Sequence, residues 1–335
     1  MKSKKVEEHF LNVLFVHFSH IRPDDGVMNT QIEGSELPLH FAAKGHNVYS
    51  VFHKGNRNYI CKIEKGVFVD ASPQEIFGNN FDICIGKSSS FSSYNQQYFK
   101  KCDFKINITP LGLPRNKINC DTTFDDGDLI KPPSFELTNY FENNFDAQQK
   151  TNTILYVGSI GIDKNQIEFI NLIDPSLISE YEVKFFGPIR RAKYKLQMES
   201  LLKSKGINFS ISNAISKDDL AQEYLKAKHT ALSTEAAPQP YDPSPRVIPE
   251  SIYSGNSFLI RDTVLIHKDH YKFGHVYKKG DRNSFNENLK KMLNDFSPEL
   301  SKEMHDFSKE CLNMNFACES AYNQIIESHK EHIND

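Results

Sequence analysis

The chain has 335 residues, 39% apolar and 25% charged, a balance that supports two domains with separate cores and excludes a disordered or fibrous protein. Its 40 basic and 43 acidic residues leave a net charge of −3, so no basic field advertises a polynucleotide partner. No run approaches the ~18–20 apolar residues of a membrane span, the N-terminus lacks an apolar signal core, and the six cysteines include no C-x2-C pair. A cytoplasmic protein with free thiols and no zinc site is expected, with peripheral membrane attachment the one other placement left open.

The first element is a nearly continuous apolar run, Leu11 to Phe18, as in a parallel strand covered on both faces. A loop with Asp25 and Gly26 follows, then a helical stretch from about Thr30 to Lys44 closed by Gly45, then a strand over Asn47 to Phe52. This is a β-α-β unit, whose crossover makes the two strands parallel. Further strands are predicted at Gly66 to Asp70, Phe81 to Gly86 and Phe104 to Ile108. His17, His20 and Lys87 lie at strand ends, where ligands of an open α/β sheet bind.

Residues 111–150 are rich in Asn, Asp, Pro and Thr and read as a linker with one helix, Phe135 to Asn144. Asp125, Asp126 and Asp128 give that linker the Asp-x-Asp spelling of a metal site, read here as a solvated turn. The β-α-β pattern restarts at Thr153 to Gly158, with a helix from about Lys164 to Ile173. Glu182 to Pro188, a helix from Ala192 to Lys203, Ile207 to Ile211, a helix from Asp218 to Lys228 capped by Ser216, and His229 to Ser233 continue it.

A Pro-rich loop from Tyr241 then opens into a short helix around Glu250, ends at Gly255, and enters the apolar strand Phe258 to Ile260. Asp242 and Glu250 stand eight positions apart, one acid at the loop and one in the helix. Helices over Ser284 to Asp295 and Pro298 to Met314, and a last amphipathic stretch to Glu327, close the chain.

Together these motifs resemble the retaining GT-B glycosyltransferases of the large family four. Asp242 and Glu250 fit its E-x7-E signature with Asp in place of the first Glu, and Gly255 follows Glu250 at the family's spacing. Gly45-His46-Asn47-Val48 fits the family's entry to the second strand. Gly158 and Lys164 fit its "VGR-x4-K", with Ser159 in place of the arginine. Gly187-Pro188 and Asn213-Ala214-Ile215 fall in the family's order. Arg246, four positions before Glu250, also resembles the phosphate-binding arginine of phage DNA glucosyltransferases.

The resemblance implies two Rossmann-like domains facing across a cleft: an acceptor-side domain over residues 1–145, a donor domain over 151–312, and a C-terminal helix over 313–335 crossing back to the first. It implies transfer of a sugar from a nucleotide diphosphate sugar to a carbohydrate, lipid-linked or other small acceptor, with no cofactor and no metal. Asp242 would lie against the transferred sugar, with Glu235 its rival. Lys164, with Gly158, Ser159 and Gly187, would meet the diphosphate, joined by backbone amides from Arg246 and Val247. Arg246 or Arg190 would replace the missing arginine, Asn213 and Ile215 would hold the base, Glu250 the ribose, and Gly26 would let backbone approach the donor. A GT-B-fold epimerase or hydrolase and a non-catalytic nucleotide-binding protein are the alternatives. A dinucleotide-dependent dehydrogenase is disfavoured, because no G-x-G-x-x-G follows any strand.

Overall fold

The computed structural model describes residues 10–16, 36–54, 57–87, 96–109, 120–125, 135–234, 242–243 and 245–334. The chain forms two compact units, Met1–Ile130 with Met314–Asp335, and Lys131–Asn313.

The first unit contains β1 (Asn12–Val16), α1 (Glu36–Ala43), β2 (Asn47–Lys54), β3 (Arg57–Glu64), β4 (Val67–Asp70), α2 (Pro73–Gly78), β5 (Phe81–Lys87), α3 (Gln96–Phe99), β6 (Cys102–Thr109) and β7 (Thr122–Asp125). They form a seven-stranded sheet, β4-β3-β2-β1-β5-β6-β7, parallel from β2 to β7. Both faces of β1 are covered, as its apolar run predicts. Val13 and Phe15 enter one core, and Leu14 and Val16 the other.

Four elements of this unit were not expected, the short helix α3 among them. β3 pairs antiparallel with β2 and β4, and its turn into β4 uses Lys65 and Gly66, both with positive φ, as a two-residue hairpin requires. α2 starts on a capping box in which Ser72 and Glu75 satisfy each other's backbone amides. β7 places Asp125 on a strand rather than in a turn, and Asp126 and Asp128 lie outside the described residues.

The second unit runs through α4 (Phe135–Asn144), β8 (Thr151–Val157), α5 (Gln166–Leu172), β9 (Glu182–Phe186), α6 (Ala192–Ser204), β10 (Phe209–Ser212), α7 (Lys217–Lys226), β11 (Ala227–Leu232), β12 (Asp242–Pro243), α8 (Val247–Tyr253), β13 (Ser257–Arg261), β14 (Val264–Leu265), β15 (Gly274–Tyr277), α9 (Arg282–Asp295) and α10 (Pro298–Cys311). Its main sheet is parallel throughout, in the order β10-β9-β8-β11-β13-β15. Numbered from β8 this is the doubly wound order, third, second, first, fourth, fifth, sixth. α4 belongs here because Phe141 is fully buried against the rings of Tyr224 and Tyr253.

The last helix, α11 (Met314–Asn334), returns to the first unit. Ala321 and Ile325 enter the core shared with Phe15 and Phe41. Tyr322 Oη lies 2.9 Å from His46 Nε2, and the Glu319 carboxylate meets Lys44 Nζ at 2.8 Å and His40 Nε2 at 3.0 Å. All six cysteines are free thiols.

Candidate functional site

In a doubly wound sheet the strand order reverses between the first and fourth strands. The loops at their carboxyl ends diverge there and leave a crevice. In the second unit that point lies between β8 and β11, so its rim is made by Gly158 and Ser159 on one side and Ser233 and Thr234 on the other. The Thr234 hydroxyl at this rim is buried and has no hydrogen-bond partner among the described residues.

The exits of β8 and β9 are laced together by backbone. Gly158 N donates to Phe186 O at 2.9 Å, Ile160 N to Pro188 O at 2.9 Å, and Arg190 N to Ile160 O at 3.1 Å. Gly158 and Gly187 both have φ near +150°, where a side chain is strained. Asn213, exposed beyond β10, joins the group by accepting from Ile189 N on its Oδ1 at 3.4 Å. Ser159 Oγ donates to Asp163 Oδ2 at 3.2 Å, and the exposed Arg190 guanidinium lies 3.8 Å from the same oxygen.

Lys164 lies against Gly158. A side chain on that glycine would begin 3.5 Å from both Cγ and Cδ of the lysine. Contrary to the expected first-turn position, Lys164 ends a separate 3-10 turn, Ile162–Lys164, and the left-handed Asn165 (φ 53°) divides it from α5. That turn is pinned from several sides. Tyr156 Oη donates to the Lys164 carbonyl and accepts from Ser233 N at 2.8 Å. Gln166 Nε2 donates to Ser159 O at 2.9 Å. Asn165 Nδ2 donates to the Glu168 carboxylate, which also receives Arg261 Nη1 at 2.6 Å. Arg261 is fully buried, and it also donates to Thr263 Oγ1 at 2.7 Å and Thr234 O at 3.2 Å.

A second group forms on α8, whose N-terminus reaches the same carboxyl edge because the helix is the crossover from β11 to β13. Thr230 Oγ1 on β11 donates to Ser251 Oγ on α8 at 2.6 Å. The Ile248 and Glu250 amides are occupied by Pro245 O and Arg246 O, and Pro249 has no amide hydrogen. Of the expected run of free amides, Ile248, Pro249 and Glu250 therefore supply none. Gly255 ends the helix at φ +72°, as expected of a C-cap.

Glu250 is buried, and its Oε2 accepts from Tyr224 Oη at 2.9 Å. Burial pushes the carboxyl up to about 7, against the opposing pull of the Tyr224 hydrogen bond and the Arg246 charge. Tyr224, Tyr156, Gln166, Glu168 and Arg261 were not singled out from sequence. For Arg261 a signal existed: a cation closing the apolar run Phe258 to Ile260 needs a buried partner.

Asp242 pairs through its backbone with Val264, and its side chain lies outside what the structure describes. Ile215 is half-buried. Gly26, His17, His20 and Glu235 lie outside the described residues, as does the Lys87 side chain. Among the described residues no group of three or more His, Cys, Asp or Glu side chains is arranged to hold a metal ion, and no helix is long and apolar enough to cross a membrane.

No family model and no curated protein sequence matches the chain. Solved structures do. AviGT4, a glycosyltransferase involved in avilamycin A biosynthesis, superposes with a TM-score of 0.63 at 13% identity, over 96% of this chain and 98% of that one. The lipopolysaccharide outer core galactosyltransferase WaaB in its apo form gives 0.63 at 13% identity, over 95% and 99%. The catalytic domain of starch synthase IV from Arabidopsis thaliana, bound to ADP and acarbose, gives 0.58 at 10% identity, over 98% and 100%. The fold is that of the GT-B glycosyltransferases.

Proposed function

We propose that this GT-B protein is a glycosyltransferase whose second unit binds a nucleotide diphosphate sugar. The observation that carries the reading is the Lys164 side chain held against Gly158 at the switch point of a doubly wound sheet, with Arg190 at the adjoining strand exit. A flexible-stemmed ammonium on a backbone turn fixed from three sides presents a cation without reorganisation, which is what a leaving diphosphate requires. Glycine at position 158 keeps a side chain out of the space beside Lys164 that phosphate oxygens would enter, and glycine at 187 lets the two strand exits approach.

The remaining roles follow the family-four pattern. Glu250 accepts the ribose hydroxyls, and Asp242 lies against the sugar. Asn213 and Ile215 flank the base, and Arg246 with the Val247 amide completes the phosphate shell in place of the arginine that Ser159 replaces. Chemistry then rests on electrostatic stabilisation of the departing diphosphate, with retention at the anomeric carbon and no metal ion. The acceptor is a carbohydrate or lipid-linked glycan. The ADP held by starch synthase IV supports a nucleoside diphosphate as the donor's leaving portion.

The test is release of nucleoside diphosphate from a panel of UDP, ADP, GDP and dTDP sugars, with and without glycan acceptors. Acceptor-dependent release from one donor, lost in Lys164→Ala, is expected. Equal release without acceptor would indicate a hydrolase or epimerase instead, and tight binding without turnover would indicate a nucleotide sensor.

A further inference from the structure

Lys150 sits where a lysine is costly. It precedes β8, its ammonium is buried, and its three hydrogen-bond acceptors are all uncharged. Burial pulls its ammonium well below the ordinary lysine range. A cation buried without a counter-ion carries a desolvation cost, so something must hold it there.

The three acceptors do. Nζ donates to Tyr224 O at 3.3 Å, near the C-terminal end of α7, and to Ser254 O at 2.5 Å, the C-cap of α8. Its third bond, 2.5 Å, goes to Asn256 Oδ1, and Asn256 Nδ2 donates back to Tyr224 O at 2.9 Å. One ammonium therefore ties together the ends of two helices, where the helix dipoles favour a cation. These are the helix that carries Tyr224 and the helix that carries Glu250. At the other end of the tyrosine, Tyr224 Oη donates to Glu250 Oε2 at 2.9 Å.

A carboxylate's last torsion is soft, and its two oxygens offer about four acceptor sites. A hydroxyl fixed on Oε2 removes that freedom and leaves Oε1 for a ligand. We infer that Tyr224, clamped through its backbone by Lys150 and Asn256, is a positioning residue that orients the Glu250 carboxylate for the two hydroxyls of the donor's ribose. The inference rests on the donor-site reading above and adds to it the residues that decide ribose against deoxyribose. Lys150 acts at one remove: it holds the spacing of α7 and α8, and Tyr224 transmits that spacing to the carboxylate.

The experiment is calorimetric titration of the full chain with UDP and ADP and with their 2′-deoxy counterparts, for wild type, Tyr224→Phe, Lys150→Met and Glu250→Ala. The readout is the ratio of ribo to deoxy affinity, which a merely structural contact would leave unchanged. Wild type prefers the ribonucleotide. Tyr224→Phe lowers the ratio ~10-fold, the scale of a lost hydrogen bond to a charged group, and Lys150→Met lowers it in the same direction. Glu250→Ala abolishes the preference. If Glu250→Ala abolishes it while Tyr224→Phe keeps the wild-type ratio, the positioning inference falls and the donor site stands. If Glu250→Ala itself keeps the preference, or wild type binds neither nucleotide, the donor-site reading falls and takes this inference with it. Tyr224→Phe removes a single oxygen from a buried ring, so it decides the matter even where Lys150→Met does not fold.

Discussion

The Gly158 carbonyl oxygen occupies the place where a side chain on Gly187 would begin: a Cβ there would stand 2.0 Å from it. The oxygen belongs to backbone and the Cβ would be fixed in place by the backbone that bears it, so neither can yield as the end of a flexible side chain would. The approach also requires φ +154° at Gly187.

Gly187→Ala therefore costs ~2–4 kcal/mol, by strain and collision together. On a unit of this size that lowers the melting temperature by roughly 5–15 °C. Thermal unfolding measures it. A melting temperature equal to wild type would mean that the two strand exits are further apart than the structure has them.

Glu250 makes stability depend on pH in a defined window. Its carboxyl titrates at about 7 when folded, against an ordinary value of 4.5, because it is buried. A raised pKa means that the folded state holds more protons between those two values, so this residue's contribution is full below about 4.5 and is lost as pH rises through about 7. The loss amounts to roughly 3 kcal/mol. Glu250→Gln keeps an acceptor for Tyr224 and removes the titration, so its stability relative to wild type should climb from pH 4.5 to 7.5 and then level off. A difference that stays flat across that range would contradict the burial of the carboxyl.

The pair formed by Arg261 and Glu168 is the buried ion pair behind the Lys164 turn, with 2.6 Å between Nη1 and Oε2. Removing one partner leaves a charge with little access to water. Arg261→Met is therefore expected to cost ~3–5 kcal/mol, and Arg261→Met with Glu168→Met together much less than the sum of the single changes. Denaturant unfolding of the four proteins completes the cycle. Additive losses would show that the two side chains do not sense each other.

Much of the fold could be read locally. The apolar runs of β1, β5 and β8 announce central strands because both their faces are buried, and Gly255 announces a helix end because glycine takes the left-handed turn without strain. β3 was missed because Lys62 and Glu64 alternate with Cys61 and Ile63, a weaker pattern than a continuous apolar run, and β7 because it lies in a polar segment.

The candidate site was legible only as a set of positions. Gly158, Lys164 and Glu250 were marked by spacing, but the turn that detaches Lys164 from α5 depends on Asn165 adopting a left-handed conformation. That conformation is held by Glu168 and, through it, by Arg261, far along the chain. The Lys150 contacts reach Tyr224 and Asn256, 74 and 106 positions away, and no local pattern encodes them.

The most direct test of a phosphate site at the β8 and β9 exits is a calorimetric titration of Lys164→Ala with the nucleoside diphosphate that wild type binds. Loss of one charge-assisted contact to phosphate should weaken binding by ~10–100-fold while the melting temperature of the free protein stays near that of wild type. Undiminished affinity in this variant would place the diphosphate elsewhere on the molecule.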